Sequence, residues 1–179
     1  MPTRKPFPRL VNPPRAAEPR ADRPHMPKGY AIATGSKGLL RWSQVRERLS
    51  NSKNYWVGTT RPDGRPHVMP VWGLWLDDGF CFSTDRNSRK GRNLAANAAA
   101  VVHLESGDEV TIVEGIAREV TDRSVLASIN KAYQAKYGMG ITGPPGAVVV
   151  IYSVQPRVVF AWRERDFPRS ATRWRFEKV

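Results

Sequence analysis

The chain has a single cysteine, Cys81, among 179 residues. One thiol excludes an internal disulfide framework and any metal site built from several cysteines. No apolar run approaches the roughly 18 residues that a membrane-spanning helix needs. The arginine-bearing N-terminus has no apolar stretch of the secretory kind. These shortages predict a cytoplasmic protein with no membrane partner. Acidic residues are scarce as well: 16 Asp and Glu face 29 Lys and Arg, a formal charge of +13. Three dispersed histidines (His25, His67, His103), with no carboxylates converging on them in sequence, give no metal signature. What is present is 40% apolar residues, including six Trp, six Phe and five Tyr, enough for one substantial core.

Proline is unevenly spread. Eight of the fifteen lie within residues 1–30, alongside seven Lys and Arg and only Glu18 and Asp22 as acids. Proline fixes φ and removes backbone donors, so a disordered, basic arm is predicted over 1–30, ahead of a folded domain at 31–179. The domain stays basic without the arm, which points to an anionic ligand or partner. A nucleic-acid-binding module driven by the arm is a rival reading. It requires an affinity that falls steeply with salt and vanishes on deleting residues 1–30.

Trp42, Val45 and Leu49 recur at i, i+3, i+7 and predict a short amphipathic helix ending near Asn51. The period then changes to that of strands. Tyr55–Thr60 and His67–Leu76 flank a turn built on Asp63-Gly64, and Asp77-Asp78-Gly79 leads into Phe80–Thr84. Ala99–Glu105 and Glu109–Val120 continue the meander. Asp122 caps a helix in which Val125, Ile129, Tyr133 and Tyr137 recur every four residues, with Gly138 at its end. Ala147–Val154, an interruption at Pro156, Val158–Arg163 and Thr172–Phe176 complete the set. The sum is mainly β (α+β): an antiparallel barrel with two or three peripheral helices.

The chemically informative stretch runs from Ser83 to Ala96. A strand end passes through a polar turn into a helix capped by Ser88. Arg89, Lys90 and Arg92 crowd its first turn, where the helix dipole disfavours positive charge by about 0.3–1 kcal/mol per group. Gly91 lowers helix propensity by about 1 kcal/mol relative to Ala. A bound anion reverses the sign of the electrostatic penalty. Free backbone N–H groups, the hydroxyls of Ser83, Thr84 and Ser88, and two or three cations would then converge on one phosphate. The bland alternative is a solvated basic face.

The order Gly64-Arg65-Pro66-His67, Pro70-Val71-Trp72, Phe82-Ser83-Thr84, Ser88-Arg89-Lys90, Asn93-Leu94 resembles the FMN-binding split-barrel superfamily. Pyridoxamine 5′-phosphate oxidase and the deazaflavin (coenzyme F420)-dependent oxidoreductases belong to that superfamily. Glu114-Gly115 and the closing Ala171–Phe176 are similar to its actinobacterial members. The resemblance covers roughly residues 40–176 and implies a split barrel, a homodimer with cofactors at its interface, and hydride transfer to a small unsaturated substrate. Carried over by position, Arg89 and Lys90 match the pair that holds the cofactor phosphate. Ser83, Thr84 and Ser88 match the hydroxyl positions, and Asn93 lies one turn into the helix. Met69, Pro70, Val71 and Trp72 match the strand that borders the ring, while Trp174 and Arg175 complete the partner's site. No side chain stands out as an acid or base.

The sequence departs from the oxidase proper. Val68 stands where that enzyme has an arginine early on the ring-bordering strand, and no histidine follows His103. The resemblance therefore supports the cofactor better than the pyridoxamine substrate. Cations beyond Arg89 and Lys90, among them Arg86 and Arg92, suit coenzyme F420, whose tail is longer and more negative than FMN. FMN is the alternative cofactor, and a flavin- or deazaflavin-binding protein without turnover is the alternative function.

Overall fold

The computed structural model describes residues 19–176, so most of the predicted arm lies outside the described residues. Strands β1 (Arg20–Asp22), β2 (Asn54–Thr60), β3 (Pro66–Leu76), β4 (Gly79–Asp85), β5 (Ala99–His103), β6 (Glu109–Glu119), β7 (Val149–Arg163) and β8 (Thr172–Arg175) alternate with helices α1 (Trp42–Asn51), α2 (Arg89–Ala96), α3 (Arg123–Tyr137) and the single turn α4 (Phe167–Ser170). Six strands close an antiparallel barrel in the order β7-β4-β3-β2-β5-β6, with β6 returning to β7. The expected barrel is present.

Local chemistry accounts for its turns and caps. Leu76 pairs with Gly79 across two residues, Asp77 and Asp78, whose φ angles of 46° and 59° match the twist of a tight hairpin. Asp122 accepts from the amides of Ser124 and Val125 to start α3, and Gly138, at φ 78°, ends it.

Two features differ from expectation. The two strands expected at 147–154 and 158–163 are one, β7 (Val149–Arg163), with Pro156 inside it. Pro156 falls where one edge of β7 changes partner: Val149–Val154 pair with β4, and Val158–Ala161 pair with β8. On the other edge the register with β6 shifts between Glu114 and Gly115, which oppose Val158 and Pro156, so β7 bulges at Arg157. A Cβ on Gly115 would lie 2.4 Å from the Gln155 carbonyl oxygen, so this close crossing requires glycine.

The second difference is that ordered structure begins before residue 31. β1 extends the sheet beyond β8, and Asp22 holds Arg173 at 2.7 Å. The Arg23 guanidinium donates to the carbonyls of Gly35, Lys37, Arg169 and Ala171. Few apolar residues are involved, which is why hydrophobic patterning gave no sign of it.

The main core fills the barrel. Tyr55, Val57, Trp75, Phe80, Phe82, Val102, Val113, Val154 and Val159 meet Trp42, Val45 and Leu49 of α1. A second cluster lies outside the barrel wall, where Leu74, Leu76, Cys81 and Ile151 pack under Ile129, Ala132 and Tyr133 of α3. Burial pushes the Cys81 thiol up to about 11, so it is packing rather than a nucleophile. Trp72 and Trp75 face opposite sides of β3, as their spacing requires: Trp75 enters the core, and Trp72 stacks on Tyr137 outside it.

Candidate cofactor site

β3 pairs with β4 only from Gly73 to Leu76, whereas its first half, Pro66–Trp72, pairs with β2 alone. Beyond Phe82, β4 leans on β7 instead. The two strands therefore fork at Gly73. A side chain there would strike the Phe80 ring at 2.4 Å. The fork is pinned from outside: the Lys136 ammonium donates to the Gly73 carbonyl at 3.0 Å and to the Tyr55 hydroxyl at 2.8 Å, while the Tyr137 hydroxyl accepts from the Gly73 amide at 3.0 Å.

Helix α2 starts at the open end of this fork. Ser88 caps it, accepting from the Gly91 amide at 3.1 Å, and the Thr84 hydroxyl lies 2.8 Å from that of Ser88. Gly91 has a packing reason to be glycine, since a Cβ would sit 2.4 Å and 2.6 Å from the carbonyl oxygens of Arg86 and Asp85. Its presence is therefore explained by the tight β4–α2 turn, independently of any ligand.

The cations around α2 divide into two groups. Arg86 is paired with Glu119 at 2.5 Å, and Arg92 turns back to the Asn87 carbonyl at 2.8 Å. Arg89 and Lys90 form no hydrogen bond or ion pair among the described residues, and burial pushes the Lys90 ammonium below its usual range. Two further groups join them. Arg61, in the β2–β3 turn, has a buried Nε without a partner, and so does His67 at Nδ1. Burial pushes the imidazole below its usual range, helped by the charges of Arg61, Lys90 and Arg89. Partly desolvated cations without a counter-ion are costly, and an anion with several acceptor oxygens would offset that cost.

The structure brings together only part of the predicted set. Thr84, Ser88, Arg89 and Lys90 meet at the mouth of the fork. Ser83 does not join them: strand alternation sends it to the opposite face, with Cys81 below α3. Asn93 is fully buried and donates to the Thr59 hydroxyl at 2.9 Å, anchoring α2 to β2 instead of lining open space. Met69 and Val71 share the barrel-side face of β3 with His67, while Pro70 and Trp72 lie on the outer face. Met69 and Trp72 remain 45% and 38% exposed.

Trp174 and Arg175 depart from expectation. Trp174 is 1% exposed and tilted against Trp42 at 5.5 Å, covered by the core of its own chain. Arg175 lies 3.3 Å from Asp22 on the β1–β8 edge. The aromatic ring found apolar partners within its own chain, a destination that an alternating strand pattern cannot distinguish from an interface. Arg61 and His67 are not among the site residues expected from the sequence. The hairpin register, which sets His67 opposite Thr59 beneath α2, was the available signal.

A cavity of about 820 Å³ lies at the other end of the barrel, lined by Arg48, Lys53, Glu105, Glu109, Arg163 and Arg165 among others. Its charges alternate in sign, and Arg48 bonds Glu109. It is separate from the fork.

A family model for pyridoxamine 5′-phosphate oxidase matches residues 42–163. Among curated relatives, the pyridoxine/pyridoxamine 5′-phosphate oxidase of Gluconobacter oxydans is 29% identical over 143 residues, covering 62% of this chain and 71% of the relative. The enzyme of the same name from Cupriavidus necator is 31% identical over 132 residues, covering 71% of this chain and 60% of the relative. The chain thus spans well under two thirds of the second relative's length. Among solved structures, a conserved hypothetical protein of Mycobacterium tuberculosis has a TM-score of 0.63 at 20% identity, covering 75% of this chain and 91% of that one. An F420 reductase has a TM-score of 0.51 at 27% identity, covering 63% and 94%.

Proposed function

The chain belongs to the pyridoxamine 5′-phosphate oxidase family, and from that premise we propose that it is an oxidoreductase that works with the deazaflavin coenzyme F420 on a small unsaturated substrate. The observation that carries this reading is the set of partnerless cationic groups at the fork: Arg61, Arg89 and Lys90, with His67 beside them. Such a cluster would hold the phosphate of either cofactor, and the 27% identity to an F420 reductase supports the deazaflavin coenzyme.

The residues fit such a group. Arg89, Lys90 and Arg61 would hold the phosphate, helped by the Thr84 and Ser88 hydroxyls, with the backbone of Met69, Pro70, Val71 and Trp72 and the barrel-side chains of Met69 and Val71 along the ring. When bound, the cofactor supplies hydride transfer, and the protein's share is orientation, electrostatics and exclusion of water. Lys136 and Tyr137 contribute by fixing Gly73, which sets the direction of the ring-bordering half of β3.

We also infer a homodimer. The outer sheet face exposes Val68 (49%) and Val101 on either side of Gly58, next to Trp56 and Trp72. A second copy on this face would cover the apolar row and close the fork to water.

The second reading is an FMN-dependent oxidoreductase, favoured by the names of the curated relatives. Titrating the purified protein separately with F420 and FMN, and following ligand fluorescence, decides between them. Tighter binding of F420 is the expected result, and a preference for FMN would replace the cofactor assignment. Binding of neither below about 100 μM, roughly 5.5 kcal/mol of affinity, would overturn the oxidoreductase reading. Oxidation of the bound reduced cofactor by substrate separates an enzyme from a cofactor carrier.

A further inference from the structure

His67 sits where a phosphate group would need a final donor. It faces Thr59 across the β2–β3 pair, and cross-strand partners share a face of the sheet. The Thr59 hydroxyl is held in turn by Asn93 of α2 at 2.9 Å. Asn93 lies one helical turn beyond Arg89 and Lys90, so those cations project from the same side of α2 that covers Thr59 and His67. Arg61 follows β2 directly, in the turn that its backbone closes with Arg65 at 2.9 Å.

The charges acting on the imidazole are Arg61 from the turn and Lys90 and Arg89 from α2. β2 contributes only uncharged Thr59 to this face. Asp63, the acid of the turn, is taken by Arg65 at 2.6 Å. Two buried nitrogens, Nε of Arg61 and Nδ1 of His67, lack a partner. The Arg61 Nε–H is always a donor, and nothing around it accepts. The same surroundings disfavour the imidazolium of His67, because partial burial and three like charges oppose a fourth. Phosphate oxygens would change both conditions together.

We propose that ligand binding at the fork is coupled to proton uptake by His67: the imidazole is neutral in the free protein, and takes a proton from solvent when a phosphate group seats among Arg61, Arg89 and Lys90. The imidazolium then donates to a phosphate oxygen, and the Arg61 Nε–H gains its acceptor. His67 is thus a binding residue, and affinity strengthens as the pH falls through the range in which the loaded form is protonated and the free form is not. This inference rests on the fork being the cofactor-phosphate site.

The test is a histidine NMR titration of the full chain from pH 5 to 8, free and saturated with F420 or FMN. His67→Gln assigns the resonance, and His25 and His103 serve as internal controls. The expected result is a His67 midpoint below the usual histidine value in the free protein, rising by at least about one unit on loading, with both controls unmoved. In parallel, the wild-type to His67→Gln ratio of affinities should grow several-fold from pH 8 to pH 6, a comparison that cancels the ligand's own titration. An unmoved His67 midpoint in protein that demonstrably holds ligand would overturn the coupling and leave the cofactor reading standing. Failure of both ligands to bind would overturn the cofactor reading, and the coupling with it.

Discussion

The two ends of the barrel surround their cations differently. At the end reached by α1, the β5–β6 turn and the end of β7, Arg48 bonds Glu109 while its buried Nη1 keeps no partner, and Glu47 and Glu105 are interleaved with Lys53, Arg163 and Arg165. At the end reached by α2, Arg89 and Lys90 lack bonded partners, and Arg61 and His67 keep unpartnered nitrogens. Local pairing is not beyond this second end, since Arg86 finds Glu119 and Arg65 finds Asp63. The contrast therefore lies in which cations are left over. The cations of the first end sit among acids, whereas Arg61, Arg89 and Lys90 have no bonded acid, an arrangement that suits the proposed anion site.

The comparison is broken most severely by replacing both Arg89 and Lys90 with alanine. Charge-assisted contacts contribute about 1.5–3 kcal/mol each, so affinity for the preferred cofactor should fall at least tenfold. The thermal midpoint should not fall, because two uncompensated charges leave the first turn of α2. Cofactor titration and a melting curve read the two effects separately, and an unchanged affinity would remove these residues from the phosphate site. Gly91→Ala is the next largest. Its Cβ would enter the carbonyls of Arg86 and Asp85, costing about 1–3 kcal/mol of stability and displacing the first turn of α2. Denaturant unfolding should show the loss of stability, and cofactor titration a weakened but surviving affinity.

Those two variants also mark how far the sequence could be read. The Asp-Gly turns, the Asp122 cap and Gly138 state their conformations locally, so β2–β4 and α3 were legible to within a residue or two. β7 was not, because a proline normally ends a strand. Here the partner change at Pro156 and the bulge beside it at Arg157 accommodate the break, and both are set by the neighbouring strands. β1 was hidden for a different reason, since Asp22 and Arg23 secure it through ion pairs and carbonyls more than 140 residues away in the chain. The site was half legible. Arg89 and Lys90 stood out as cations against the dipole of their own helix. Arg61 and His67 come to the same place only through a hairpin register and the packing of α2 across it. Trp174 shows the opposite error, a residue assigned to a ligand that the core had already taken.

The smallest expected effect, at the paired end, is the control that gives the comparison its meaning. Arg48 bonds Glu109, whose carboxylate remains 41% exposed, so removing the guanidinium leaves an acid that water can still solvate. Partly exposed ion pairs contribute about 0–1 kcal/mol, and the aliphatic stem of Arg48 can be replaced in kind. Arg48→Met should therefore lower stability by no more than about 1 kcal/mol and leave cofactor affinity within twofold of wild type. Raising the salt concentration should separate the ends further. Cofactor affinity should weaken with ionic strength in both wild type and Arg48→Met, because each retains the unpaired cluster around α2. A cofactor affinity that falls in Arg48→Met as far as in the Arg89/Lys90 double variant would mean that the two ends share one site, and the distinction between paired and waiting cations would fail.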